Sequence, residues 1–149
     1  MASRKRTRAS RISTYHTSWP TQQALAILLC EGHLDLHIRR MRLHYAHKRQ
    51  LLKEILAPLA PLAHLRGLEA GLHAYLELRA DLDAHRVVQD AKERGVLIST
   101  IDTCYVGMPD RNGLLLGYGG LSPQEVIHGA QILREVIEQR TAKTNLLTR

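Results

Sequence analysis

Apolar side chains recur at helical spacing over the longest periodic stretch of the chain, from Gly32 to Ile55. They advance in steps of three, four and seven residues, at Leu34, Ile38, Met41, Tyr45, Leu52 and Ile55. This spacing places them on one face of an α-helix. The pattern predicts a long spine helix over residues 35–57, ended by Pro58 and Pro61. At about 1.5 Å per residue, it would be roughly 30 Å long or more.

A second apolar run precedes the spine helix. It is almost continuous, at Ala24, Leu25, Ile27, Leu28 and Leu29. Such a run predicts a short buried helix over residues 20–31, with Thr17 or Ser18 as its N-cap and Gly32 as its terminator.

The second half of the chain begins with a predicted linker, residues 58–70, and then changes period. Residues 71–78 alternate between apolar and polar side chains, which is the pattern of a half-buried strand. Asp81 or Asp83 can cap a helix that runs through Arg94, with Gly95 beyond its end.

Two more strands and a helix complete the predicted order. Residues 96–101 are apolar and β-branched, and residues 114–118 follow a loop of about eleven residues. Ser122 and Glu125 form a capping box with Pro123 at the first helical position. The core face of this last helix is Val126, Ala130, Leu133 and Ile137.

Two helices followed by β-α-β-β-α predict an α+β fold, an α/β sandwich with helices on one side of a three-stranded sheet. We expect the folded domain to cover residues 18–140. Residues 1–17 would form a basic disordered N-terminal arm, and residues 141–149 a flexible basic tail.

Composition fits one domain, and charge is concentrated at the ends. Of the 149 residues, 44% are hydrophobic and none is Phe, so the core must consist mainly of aliphatic side chains. The net charge is +7, but residues 12–139 carry only −1. A basic arm can bind a phosphate backbone, which leaves a nucleic-acid-binding protein as one alternative function.

Cysteine usage and hydropathy predict a cytoplasmic protein. Cys30 and Cys104 lie in separate elements without a C-x-x-C motif, as is typical of reduced thiols. No apolar run has membrane-spanning length, so we expect no membrane partner. His37, His44 and His47 share one helical arc, but the first two would be about 10 Å apart. Only His44 and His47 could chelate an ion together, and they lack a third ligand, so we predict no metal site.

The spine segment also resembles a known family. GHLDLHIRRMRLHYAHKRQLL is similar to the segment that opens the small C-terminal domain of MocR-type regulators. These are GntR-family proteins whose effector domain is a class I (fold type I) aminotransferase-like module. Gly71-Leu72-His73 and Leu114-Leu115-Leu116-Gly117-Tyr118 match further along, so the resemblance covers residues 19–139.

The resemblance implies a role as the small domain of a regulator that binds pyridoxal 5′-phosphate (PLP). In that family a winged-helix DNA-binding domain and a large PLP-binding domain precede this segment. None of the five lysines here sits in an S-x-x-K motif. We therefore expect no catalytic and no cofactor-binding residue in this chain, and partners in a large PLP-binding domain or a homodimer. DNA would be contacted only through the winged-helix domain.

The resemblance also implies a small-domain arginine that holds a substrate carboxylate, near the start of the third strand. That strand, with leucines at 114–116, has no arginine, and the nearest one is Arg111 in the preceding loop. Arg111 is the first candidate for substrate binding, and Tyr105 is a weaker one. A free-standing ferredoxin-like binding module remains a further alternative function.

Overall fold

The computed structural model describes residues 18–69, 71–107 and 111–147. The predicted arm, residues 1–17, lies outside these ranges. The elements in chain order are α1 (Trp19–Cys30), α2 (His33–Leu56), a 3-10 turn (Ala57–Leu59), β1 (Ala63–Arg66), β2 (His73–Leu78), α3 (Ala84–Glu93), β3 (Ser99–Thr100), a second 3-10 turn (Ile101–Cys104), β4 (Gly113–Gly117) and α4 (Pro123–Leu147). The fold is α+β, as the sequence predicts.

The chain divides into two compact units between Leu43 and His44, within α2. In the first unit, α1 ends at Cys30, and Gly32 terminates it two residues later with a left-handed φ of 73°, as predicted. The prediction that α1 is buried is wrong, because every residue of this helix is exposed. Its apolar residues fall on all sides of the helix, so a continuous apolar run does not by itself indicate burial.

The second unit contains a four-stranded antiparallel sheet in the order β1-β2-β4-β3. Strand β1 lies in the segment predicted as a linker, so the three-stranded sheet was an underestimate. Four residues between Pro61 and Gly67 are too few for alternation to be recognised against the turn signals around them. In the structure Ala63 pairs with Leu78 and Arg66 with Tyr75.

The core lies on one face of this sheet. Alternate residues of β2 and β4 point inward and pack with the end of α2, with α3 and with α4. The central members are Leu52, Leu76, Val87, Leu114, Leu116, Leu133 and Ile137, all buried. Within the second unit, the end of α2, α3 and α4 therefore cover one side of the sheet, as predicted.

Strand β3 is shorter than predicted, with only Ser99 and Thr100 paired to β4. The backbone N–H of Val96 instead donates to the carbonyl of Ala91, 2.9 Å away, as part of the turn that ends α3. Apolar β-branched residues at 96–98 thus connect the helix to a two-residue strand.

Two of the three predicted helix caps are confirmed, whereas Ser18, before α1, makes no capping hydrogen bond through its side chain. The Asp83 carboxylate accepts from the backbone N–H groups of His85 and Arg86, at 2.9 and 3.2 Å. At the start of α4 the backbone N–H of Ser122 donates to Glu125 Oε2 at 2.7 Å, and the N–H of Glu125 donates back to Ser122 Oγ at 3.2 Å.

Helix α4 continues to Leu147, so most of the predicted flexible tail, residues 141–149, is helical. After Pro123, the helix contains no proline and only one glycine, Gly129, so the sequence offers no stop signal before its end. The limits proposed for the domain, 18–140, remain a prediction. Within the described ranges, no helix is long and apolar enough to cross a membrane.

Candidate functional site

Tyr105 and Arg111, the two candidates predicted from sequence, line the same cleft. It has a volume of about 410 Å³ and is also lined by Tyr75, Ile101 and Cys104. We call it the Tyr105–Arg111 cleft. The structure thus brings together the two residues that the sequence placed at opposite ends of one loop.

Three elements build this cleft. Tyr75 projects from the sheet face opposite the core, because β2 alternates and its neighbours Ala74 and Leu76 are buried in the core. Ile101 and Cys104 belong to the 3-10 turn that follows β3, and Arg111 lies two residues before β4.

Asn112 fixes the chain beside Arg111. Its side-chain Nδ2 donates to the carbonyls of Arg79 and Leu82, at 3.1 and 2.6 Å. Its own carbonyl accepts a hydrogen bond from the hydroxyl of Tyr75 at 3.3 Å. These contacts hold the entry to β4 in place and orient the Tyr75 ring along the cleft.

Gly113 allows the Tyr75 ring to lie directly against β4. A Cβ atom at position 113 would lie 2.4 Å from Tyr75 Cε2 and 2.6 Å from the Leu76 carbonyl oxygen. Both distances are far inside van der Waals contact, so a side chain at 113 would displace the ring or the neighbouring strand.

Burial is the main influence on the Tyr75 hydroxyl. Desolvation raises the pKa of Tyr75, and the charge of Glu77 raises it further. The charges of Arg111 and Arg66 act in the opposite direction. The phenol is therefore neutral at physiological pH and can donate a hydrogen bond.

Asp102 anchors the 3-10 turn that forms the other wall. Its carboxylate accepts from the Thr100 hydroxyl at 3.0 Å and pairs with His85 Nε2 at 2.8 Å. The His85 contact comes from the first turn of α3, so it links the wall of the cleft to that helix.

The cleft can bind an anion with a planar head group. An arginine guanidinium presents donors in a rigid fork that matches a carboxylate, and Arg111 is exposed at the cleft. Strand β4 has Leu115, half-buried, opposite Tyr75 in the register. Among the described residues that line the cleft, Arg111 is the only cation.

The described residues do not fit PLP. That cofactor needs a lysine for its Schiff base, an acid near its ring nitrogen and a phosphate cup. Lys53, Lys92 and Lys143 are exposed, and no described lysine lines the Tyr105–Arg111 cleft. Lys48 is buried with its ammonium group bonded to backbone carbonyls.

Sequence reasoning did not single out Lys48, which is buried in the structure. The side chain is only 1% exposed and donates to the carbonyl of Gly119 at 3.0 Å. A signal was present in the predicted apolar face, which jumps seven residues from Tyr45 to Leu52. Position 48 fills that gap at helical spacing, so it faces the core whatever its residue type.

The histidines of the spine helix are exposed at positions 37, 44 and 47. His44 makes an edge contact with the Tyr45 ring, with centroids 5.6 Å apart. Within the described ranges, no three His, Cys, Asp or Glu side chains are grouped so that they could hold a metal ion.

Comparison with known proteins points to one group of relatives. The chain matches no known family profile. It is 32% identical over 115 residues to the uncharacterised HTH-type transcriptional regulator YhdI of Bacillus subtilis. It is 33% identical over 99 residues to the HTH-type pyridoxine biosynthesis transcriptional regulator PdxR of Corynebacterium glutamicum. The probable rhizopine catabolism regulatory protein MocR of Rhizobium meliloti is 27% identical over 121 residues.

These alignments cover 76%, 66% and 80% of the chain. They cover only 24%, 21% and 24% of the relatives, so the chain spans about a quarter of the length of the regulators it matches.

Solved structures with the same fold are aminotransferases. LysN, an α-aminoadipate aminotransferase from Thermus thermophilus, superposes with a TM-score of 0.77 at 22% identity. The match covers 95% of this chain and 36% of LysN. A multiple substrate aminotransferase from Thermococcus profundus gives a TM-score of 0.69 at 20% identity, over 78% of this chain and 29% of the enzyme.

The sequence relatives and the structural neighbours agree with the resemblance carried by the spine segment. The sequence of the chain is similar to those of regulators, and its fold is shared with parts of aminotransferases. The chain therefore matches an aminotransferase-like segment of MocR-type regulators.

Proposed function

We propose that the chain is the effector-facing small domain of a PLP-dependent, aminotransferase-like transcriptional regulator. In this proposal Arg111 binds a carboxylate of the effector, and Tyr105 lies beside it as a second contact. The observation that supports it is the placement of both side chains on one cleft of the second unit. Because a guanidinium group pairs with carboxylates, the expected ligand is a small molecule that carries a carboxylate.

The cofactor would be held by another domain. Because the described residues provide no suitable lysine, the contribution of this chain is to close over the effector and to bind it. We propose that the chain does not catalyse transamination by itself. Its contribution to the regulator would then be to bind the effector, and it would carry out no chemical step.

The proposed partners are a large PLP-binding domain or a second subunit. The exposed apolar residues of α1 support such a partner, because contiguous apolar surface on a protein commonly marks an interaction site. Binding to DNA would depend on a winged-helix domain, as the HTH-type names of the relatives suggest. A regulator of this kind would act in the cytoplasm.

A chimeric regulator tests the proposal. Residues 18–147 of this chain would replace the matching segment of the Corynebacterium glutamicum relative, and calorimetry would follow the binding of a panel of amino acids. We expect one or more of them to bind. Arg111→Gln should lower that affinity at least tenfold, because the loss of a charge-assisted bidentate contact costs about 1.5–3 kcal/mol.

The matched control is Arg134→Gln, which removes an arginine on α4 that pairs with Glu138 and does not line the cleft. This variant should bind the same amino acid with unchanged affinity. Equal affinity in the Arg111→Gln chimera would show that Arg111 does not hold the carboxylate. A folded chimera that binds no amino acid would contradict the effector-facing role as a whole.

A further inference from the structure

A second pocket lies in the same unit, between α4, the end of β4 and residues 96–98. Its volume is about 70 Å³, and its floor consists of the buried side chains of Leu52, Leu116 and Leu133. We call it the Gly129 pocket, after the glycine in its α4 wall. None of its lining residues belongs to the Tyr105–Arg111 cleft.

The rim of this pocket is apolar and open to solvent. Leu97 is 82% exposed and Leu121 is 40% exposed, and both line the mouth. Exposed leucines beside an apolar cavity offer additional apolar contact to any molecule that enters it.

Gly129 keeps the α4 wall open. Glycine in the middle of a helix is destabilising relative to alanine. Neither the backbone conformation nor the packing requires a glycine at this position. Gly129 has no positive φ, and a Cβ there would meet only Val96 Cγ1, at 4.0 Å. The absence of a side chain leaves space in the pocket that alanine would partly fill.

Glu125 supplies the polar group at the mouth. It is the only charged side chain among the described residues that line the pocket. Hydrogen bonds from Ser122 hold the pKa of Glu125 below its usual value, and the charge of Lys48 contributes in the same direction. The carboxylate is therefore ionised, already has cationic and N–H neighbours, and retains acceptor capacity beyond its hydrogen bonding to Ser122.

Size and charge together define the ligand class. A cavity of about 150 Å³ holds benzene, so about 70 Å³ suits an alkyl chain of roughly three to four carbons, with any polar group at the mouth. A carboxylic acid would be repelled by Glu125. An ammonium group would lose far more hydration than a hydroxyl at this apolar mouth, and the charge of Lys48 already partly offsets that of Glu125.

We propose that the Gly129 pocket binds a short neutral aliphatic alcohol. Its alkyl chain lies among Leu52, Leu116 and Leu133, and its hydroxyl donates a hydrogen bond to the carboxylate of Glu125. The site is separate from the effector cleft, so the proposal stands whether or not Arg111 binds a carboxylate.

The test uses the full 149-residue chain and 1-butanol as the probe. Carbon–proton NMR spectra of the leucine and valine methyl groups are recorded during a titration. We expect saturable shifts confined to the pocket, including Leu52, Leu116 and Leu133, with a dissociation constant on the order of 10 mM, as suits a ligand of so few atoms. Butylammonium and butyrate should bind at least fivefold more weakly.

Gly129→Ala is the decisive variant, because it removes volume without a steric clash and leaves the protein folded. It should weaken 1-butanol binding at least threefold. His128→Ala changes the adjacent, exposed residue of α4 and should leave the affinity unchanged. Unsaturated shifts spread over the surface, an unchanged affinity in Gly129→Ala, or butyrate binding as tight as that of 1-butanol would each overturn the proposal.

Discussion

The ammonium group of Lys48 donates a hydrogen bond to the carbonyl oxygen of Gly119, 3.0 Å away. The same group lies 3.5 Å from the carbonyl oxygen of Tyr118 and 5.4 Å from the centre of the Tyr45 ring. Tyr118 in turn donates its hydroxyl to the carbonyl of Gly71 at 2.9 Å. One lysine therefore joins α2 to the turn between β4 and α4, and through Tyr118 to the start of β2.

Replacing Lys48 with methionine should destabilise the protein by about 1–3 kcal/mol. Methionine keeps the length and apolar stem of the side chain, but the carbonyls of Tyr118 and Gly119 lose a donor in a region away from water. Urea denaturation measures the change. Lys53→Met, at an exposed position of the same helix, should stay within about 0.5 kcal/mol of the parent protein. Equal effects of the two substitutions would show that the contact does not stabilise the fold.

Strong local signals were sufficient to predict several elements of this fold from sequence. Asp83 and the Ser122–Glu125 pair mark helix starts through side-chain groups that satisfy backbone N–H groups, so their positions are encoded locally. The alternation of β2 likewise follows from one buried face. Val126 and Ile137 of α4 are buried as its spacing predicts.

Elements that depend on distant contacts were not predictable in this way. Strand β1 exists because Ala63 and Leu65 pair with β2, and its four residues carry too little pattern of their own. Helical spacing turns position 48 toward the core, but a lysine is accommodated there because a carbonyl from the β4–α4 turn, some seventy residues further along the chain, accepts a hydrogen bond from it. Tyr105 and Arg111 were candidates through the family resemblance, but their position on one cleft with Tyr75 depends on contacts that no local sequence pattern carries.

Reductive labelling with PLP should distinguish buried from exposed lysines. Lys48 is buried, whereas Lys53, Lys92 and Lys143 are exposed. We expect scattered, low-level labelling of Lys53, Lys92 and Lys143 after borohydride treatment, because exposed amines with a pKa near 10.4 are mostly protonated at pH 7. Lys48 should remain unlabelled in the folded protein. Peptide mapping provides the measurement.

The urea-denatured protein is the control for the labelling experiment. In urea, Lys48 should be labelled to the same extent as Lys53, which would show that burial and not sequence context protects it. Stoichiometric labelling of any single lysine in the folded protein would mean that the chain forms a PLP site of its own. In that case the proposal that it does not bind the cofactor alone would be wrong.

Alanine at position 113 should destabilise the protein by about 1–3 kcal/mol, as is typical of overpacking. The added methyl group would lie 2.6 Å from the Leu76 carbonyl oxygen and would also push against the Tyr75 ring. Thermal unfolding measures the cost. Gly120→Ala is the matched control, because a Cβ there meets nothing within 4 Å. A stability of Gly113→Ala equal to that of Gly120→Ala would exclude the close approach of β4 to Tyr75.

The ion pair between Asp90 and Arg140 should give a pH-dependent contribution to stability. A side-chain hydrogen bond from Arg140 holds the pKa of Asp90 below its usual value. A carboxyl whose pKa is lowered by folding stabilises the protein above its unfolded pKa, near 3.9, and loses that contribution as the pH falls through the folded value. We therefore expect Arg140→Gln to cost about 1 kcal/mol at pH 7 and progressively less below pH 4 or so.

The carboxyl carbon of Asp90 reports this pair directly by NMR. Its titration midpoint should lie below the usual value in the parent protein and move up in Arg140→Gln. Arg134→Gln, which removes an ion pair on α4 with a longer separation of 3.8 Å, should leave the Asp90 midpoint unchanged. An Asp90 midpoint that is equal in the parent and in Arg140→Gln would contradict the assignment.

The apolar residues of α1 should drive self-association of the isolated chain. Leu25 and Leu29 are 51% and 55% exposed, and no residue of this helix is buried. Exposed apolar patches of several hundred Å² favour association, so light scattering should give a mass above 16.8 kDa that rises with concentration.

Replacing both leucines with glutamine should shift the protein toward the monomer, since it removes two apolar side chains without adding charge. Leu72→Gln, which alters an exposed leucine of the second unit, should leave the association unchanged. A parent protein that stays monomeric at all concentrations would show that α1 is not an interaction surface.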